Sequence, residues 1–168
     1  ELPSKLISSG SGIGFFVTKG RLNITNNNVF KKDPHKIILF FFLMGKNNLS
    51  AHPNAIRVIR KSLRFIDHRL RNNIKTNKLF IDLLANSNAE TTLRSMNEAG
   101  VLGKFIPDFG QIVGLMQFNM YHYYTVDEHT IRSIGFLHKL EKGELFDIAP
   151  IASNLIKKIQ SRKVLFIA

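Results

Sequence analysis

The stretch IILFFFLM, Ile37 to Met44, leaves the chain little choice. Neither a helix nor a strand can give such a run a polar face, so other parts of the chain must surround it. It falls far short of the roughly 20 apolar residues that a membrane-spanning helix needs. Asp33-Pro34 just before it suits an N-cap and first helical position, and Gly45 to Asn48 can end the helix. The prediction is a helix running to about Lys46, apolar all round and deeply buried. With 44% hydrophobic residues and 14 Phe, the rest of the chain can wrap it and is not disordered. A length of 168 residues suits one domain or parts of two.

The surrounding segments read mostly as amphipathic helices. Phe15–Val17 and Leu22–Ile24 alternate apolar and polar residues about Gly20, which predicts a small hairpin. A helix opening at Pro53 places Ile56, Ile59, Leu63 and Ile66 on one stripe and Arg57, Arg60, Lys61 and Arg64 on a solvated face. Further helices are expected over Thr76–Ala85, with Leu79, Phe80, Leu83 and Leu84 inward, and over Glu90–Ala99, with Leu93 and Met96 inward. Gly100 suits the left-handed position that ends the second of these. Val101–Gly110 reads as a compact turn or two short helical turns, followed by helices over Thr125–Glu141, Ala149–Lys158 and Arg162–Ala168. The fold class is therefore all-α, a helical bundle with a small N-terminal β-hairpin.

Several function classes drop out. The absence of cysteine excludes disulfides and thiolate chemistry and fits a reducing compartment. Glu1 to Gly14 lacks the order of a signal peptide, so a soluble cytoplasmic protein without membrane contact is expected. The glycines of Gly10 to Gly14 have no strand before them and no clear helix after, so they do not make a dinucleotide loop. The net charge of +12 admits a nucleic-acid-binding basic module. The basic residues are dispersed, however, and no aromatic side chains interleave those of the Pro53 helix, so composition is the favoured explanation. The chain does not start with Met and ends in an apolar run, which reads as a piece of something longer or as a gene remnant.

The richest chemistry lies in MQFNMYHYYTVDEH, Met116 to His129. Thr125 and Glu128 have the spacing of a capping box, in which each side chain accepts from the other's backbone N–H. Asp127 and Glu128 add negative charge at the positive end of the helix dipole. His129 then projects from the first turn, either as a structural or surface histidine or as a metal ligand. A metal site needs several converging ligands, and local spacing supplies one. His122 lies on the segment before the cap, and His138 sits too far along the helix to share a first shell with His129.

The block MNEAGVLGKFIPDFG, Met96 to Gly110, together with Met116-Gln117 and YTVDEHT, Tyr124 to Thr130, resembles the bacterial bifunctional uridylyltransferase/uridylyl-removing enzymes that act on the PII signal protein. Asp33-Pro34, His52-Pro53-Asn54-Ala55, Ser62-Leu63, Ile66-Asp67 and Ile159-Gln160-Ser161-Arg162 fall in the same order. The triplet Glu128-His129-Thr130 also resembles HD domains joined to tRNA-type nucleotidyltransferases, so the long block carries the distinction.

The resemblance implies that residues 1–115 form a helical domain following a nucleotidyltransferase domain. Residues 116–168 would then be the truncated opening of an HD-type phosphohydrolase domain. It further implies UTP as a substrate, the PII protein as partner, glutamine as effector, and Mg or Mn in the hydrolase site. His129 becomes the first ligand of that metal, its partners lying beyond this chain, with His122, Thr125, Asp127 and Glu128 in supporting or structural positions. Phe118-Asn119 departs from the family's usual His-Asp and removes a possible acidic group. No complete catalytic set is expected here, so the isolated chain should neither add nor remove UMP.

Overall fold

A computed structural model describes residues 13–115 and 124–167. The chain first pairs β1 (Phe15–Thr18) with β2 (Arg21–Ile24) in antiparallel register, Thr18 opposite Arg21. The two turn residues both have positive φ, Lys19 at 46° and Gly20 at 71°. That is the turn whose twist matches the strands it joins. Leu22 and Ile24 turn inward and are buried.

Two helices follow, α1 (Val29–Lys32) and α2 (His35–Lys46). Asp33 precedes α2 as the sequence placed it, ahead of Pro34, whose backbone is already helical (φ −61°, ψ −26°). The Asp33 backbone is extended (φ −148°, ψ 93°) and ends α1, while its carbonyl accepts from Lys36 N–H. The apolar run is buried on one side of the helix through Ile37, Ile38, Phe40, Phe41 and Met44, whereas Leu39, Phe42 and Leu43 are only part-buried, short of the all-round burial expected. Ile37, Ile38, Phe40 and Phe41 have no exposed surface. Phe40 sits among three other rings, with centroids 5.4 Å from Phe15, 5.6 Å from Phe41 and 6.3 Å from Phe30, all near edge-to-face.

Beyond α2, the pair Ser50–Ala51 forms β3, parallel to β2, an element that local sequence did not predict. It leads into α3 (Pro53–Ser62), whose N-cap is His52, with Nδ1 accepting from Asn54 N–H at 3.1 Å. The buried face of α3 is Ala55, Val58, Ile59 and Ser62, rotated from the predicted stripe. Ile56 and Leu63 are only part-buried, packed against the core beside that face, and a 3-10 turn at Leu63–Phe65 leads on to the buried Ile66. Arg57, Arg60, Lys61 and Arg64 are exposed.

The remaining elements are α4 (His68–Arg71), α5 (Ile74–Leu84), α6 (Ala89–Glu98), α7 (Val101–Phe105), α8 (Pro107–Ile112), α9 (Val126–Lys142), α10 (Pro150–Ile156) and α11 (Arg162–Leu165). The last two are shorter than expected. Both α5 and α6 pack on α2. At the α2–α6 crossing, a Cβ on Gly45 would stand 2.5 Å from Thr92 Oγ1, and Asn88 Nδ2 donates to the Gly45 carbonyl at 2.9 Å. Gly100, at φ 77°, reverses the chain after α6. On the face of α6 away from this crossing lies α9, which carries His129. Among the described residues, no helix is long and apolar enough to cross a membrane.

Candidate functional site

Helix α9 begins where the sequence places it, with Thr125 as N-cap and Gly143, at φ 77°, as C-cap. The predicted capping box is nevertheless absent, since the Thr125 side chain makes no cap hydrogen bond. Its hydroxyl donates instead to the Asp127 carboxylate. The Val126 N–H, one of the orphan donors of the first turn, is satisfied by the Leu115 carbonyl at 3.0 Å.

Asp127 and Glu128 both turn toward α6. Asp127 is buried and accepts from Asn97 Nδ2 at 2.7 Å and from the Gly114 backbone N–H at 3.2 Å. Burial raises its pKa, but the hydrogen bonds from Thr125, Asn97, Gly114 and its own N–H outweigh that and hold it below 3.8. Glu128 is paired with Arg94, whose Nη2 lies 2.6 Å from Oε1 and whose Nε lies 3.4 Å from Oε2. A two-pronged charge-assisted bond of this kind outcompetes a single bond to a backbone amide. The same Nη2 reaches Glu90 Oε1 at 3.1 Å, one turn back along α6. The Glu128 bond foremost, opposed by burial and supported by Glu90, raises the Arg94 pKa further, so the guanidinium stays charged.

The contact between the two helices is close. A Cβ on Gly135 would lie 1.8 Å from Glu90 Oε2, so glycine alone leaves room for that carboxylate. Ile131 is buried one turn before Gly135 on the same side of α9.

His129 faces the other way. It is exposed, its N–H closes the first helical bond to the Thr125 carbonyl, and its own carbonyl accepts from Ser133. The imidazole has no hydrogen-bond or ion-pair partner among the described residues. It is thus free to take a ligand, whereas Thr125, Asp127 and Glu128 are committed to structure. Among the described residues, no group of three or more His, Asp or Glu could hold a metal. The donor set fits one corner of a metal site and not a whole one. His122 and Asn119 lie outside the described residues.

His138, about two and a half turns on, is a packing histidine. The Leu84 carbonyl can only accept, so His138 Nε2 donates to it at 2.8 Å, while Nδ1 lies 3.5 Å from Glu141 and the ring stacks on Phe166 at 4.4 Å. An apolar cleft of about 670 Å³ runs beside α9, lined in part by Phe80, Phe105, Thr130, Ile131 and Phe166. Among the described residues that line it there is no carboxylate. Arg94 and Asn97 were not foreseen as site residues. The i, i+4 spacing of Glu90 and Arg94 was visible in the sequence, but the 34 residues from Arg94 to Glu128 hid the partner that matters.

Comparison with known proteins identifies the family of the chain. Residues 15–105, more than half of the chain, match the family described as the uridylyltransferase GlnD third domain. Three bifunctional uridylyltransferase/uridylyl-removing enzymes align with nearly the whole chain. That of Bradyrhizobium sp. (strain BTAi1) is 50% identical over 156 residues, covering 92% of this chain and 17% of the relative. That of Azospirillum brasilense is 47% identical over 156 residues, with the same 92% and 17% coverage. That of Novosphingobium aromaticivorans is 45% identical over 155 residues, again 92% and 17%. The chain thus spans 17% of the length of these curated relatives. No solved structure matches it. The described helices, the match to the third domain and the identity to these relatives together establish that the chain belongs to the bifunctional uridylyltransferase/uridylyl-removing enzyme family.

Proposed function

We propose that this chain is the segment of a UMP-adding and UMP-removing enzyme in which a helical domain, residues 1–115, passes into an HD-type hydrolase domain opening at 116. In this reading His129 is the first ligand of the hydrolase metal. The supporting observation is that its imidazole is exposed and unpartnered at the start of a 17-residue helix while both acidic neighbours are bound elsewhere.

The chain's own residues do three things. Thr125 and Leu115 start the helix at a defined residue. Asp127 and Glu128 fasten that start to α6, and His129 presents a ring nitrogen to solvent. A divalent cation, Mg or Mn, bound there with ligands from elsewhere in the enzyme would supply Lewis acidity toward the phosphodiester joining UMP to a PII tyrosine. UTP as donor, the PII protein as substrate, glutamine as effector and a cytoplasmic setting belong to the same reading. One ligand binds a divalent cation weakly, so the 168-residue chain alone is expected to show neither activity.

The test uses a full-length enzyme carrying this segment. His129→Ala should abolish removal of UMP from uridylylated PII and leave its addition intact. Normal removal by that variant overturns the ligand assignment.

A further inference from the structure

We propose that Arg94, together with Asn97, is a positioning residue for the uridylyl-removing site: from the helical domain it sets the rotation of α9 and so the direction in which His129 projects. The inference rests on the reading of His129 as a metal ligand and adds to it a role for the neighbouring domain.

The geometry carries it. Glu90, Arg94 and Asn97 fall at i, i+4 and i+7, on one face of α6. That face grips the two residues immediately before His129, with Asn97 on Asp127 and Arg94 on Glu128. Successive residues of a helix are turned by about 100°. Fixing two adjacent side chains to one neighbouring helix therefore leaves α9 no freedom to rotate about its axis. His129, a further step round, is put on the side away from α6, where it is exposed. Two more contacts along α9 keep the helix seated, the buried Ile131 and the Glu90 carboxylate lying over Gly135.

Arg94 also has an electrostatic task. Glu90 and Glu128 both approach the same Nη2, so their carboxylates lie within about 6 Å of each other and repel without the guanidinium between them. Losing Arg94 does more than cut a tether. It leaves two like charges at the seam and frees Glu128, next in sequence to His129, to leave α6.

The experiment compares Arg94→Ala, Arg94→Lys, Asn97→Ala and His129→Ala in the full-length enzyme. Mn2+ binding is followed by electron paramagnetic resonance of the free ion, kcat and KM for UMP removal and addition are measured, and thermal unfolding is recorded. The binding component that disappears in His129→Ala defines the site. Arg94→Ala should weaken that component about 10-fold and lower kcat of removal with KM unchanged, in the range known for residues that orient a metal ligand. Addition of UMP should be unaffected. Arg94→Lys, which keeps the charge and loses the fork, should recover part of the affinity.

If His129→Ala removes the Mn2+ component while Arg94→Ala and Asn97→Ala leave affinity and kcat unchanged, the positioning role is refuted and the ligand assignment stands. If His129→Ala changes neither, the ligand assignment fails and takes the positioning role with it. A fall in both activities alongside early unfolding, with no recovery in Arg94→Lys, marks Arg94 as structural only and equally overturns the proposal. Should Arg94→Ala not fold, Asn97→Ala decides on the same criteria, since it cuts only the bond to Asp127.

Discussion

Asp127 holds three separate pieces of chain together, and replacing it with alanine should measurably loosen them. Its carboxylate accepts from Asn97 on α6, from the Gly114 backbone and from the Thr125 hydroxyl. Hydrogen bonds to a charged group contribute about 1.5–3 kcal/mol each. Gly114 is exposed, so water can replace the carboxylate there, and the 2.7 Å bond from Asn97 carries most of the cost. The helix also loses a negative charge at its N-terminus, about 0.3–1 kcal/mol. Asp127→Ala should therefore cost about 3 kcal/mol, which at a slope of about 2 kcal/mol/M moves the urea midpoint down by about 1.5 M.

The cost should depend on pH in a definite direction. Burial raises the Asp127 pKa, but its donors outweigh burial and hold it below 3.8 in the folded chain. Such a group contributes stability that is fully present above its unfolded pKa and is lost as pH falls through the lower folded value. The difference between wild type and Asp127→Ala should be constant near neutrality and shrink below about pH 4. Asp67, whose backbone bond from Leu70 lowers its pKa against the effect of burial, behaves alike in both proteins and cancels. Urea unfolding at a series of pH values reads the difference directly. A gap below about 0.5 kcal/mol at neutral pH, or one unchanged down to pH 3, would show that the carboxylate does not secure the start of α9.

Two further outcomes follow from the same packing. Gly135→Ala should destabilise the chain by about 1 kcal/mol despite alanine's better helix propensity, because its Cβ would displace the Glu90 carboxylate; in a Glu90→Ala background the substitution should become stabilising, a reversal that a double-mutant cycle detects. Phe40→Ala, at the centre of the aromatic cluster and without exposed surface, should cost about 3–5 kcal/mol in chemical denaturation, and Phe16→Ala, on an exposed strand face, far less.

Much of this protein follows from rules that act over a few residues. The apolar run from Ile37 to Met44 had to supply the centre of the core, although Leu39, Phe42 and Leu43 stay part-buried. Gly100 and Gly143 ended helices because each takes a positive φ that other residues resist. The helix start at Thr125 and the hairpin about Gly20 were likewise legible from local spacing, and Met96 to Gly110 carried the family. The tertiary structure decided which partner each side chain chose. Thr125 and Glu128 had the spacing of a capping box, yet Arg94 drew Glu128 to α6 and Asp127 took the threonine hydroxyl. The α3 helix turned Ala55, Val58 and Ser62 inward with Ile59 and left Ile56 part-buried, and β3 exists because Ser50 and Ala51 meet β2 across the fold. Local spacing limits which bonds a side chain can make. Only the approach of a distant helix supplies the charge that decides among them, and that decision turns His129 outward.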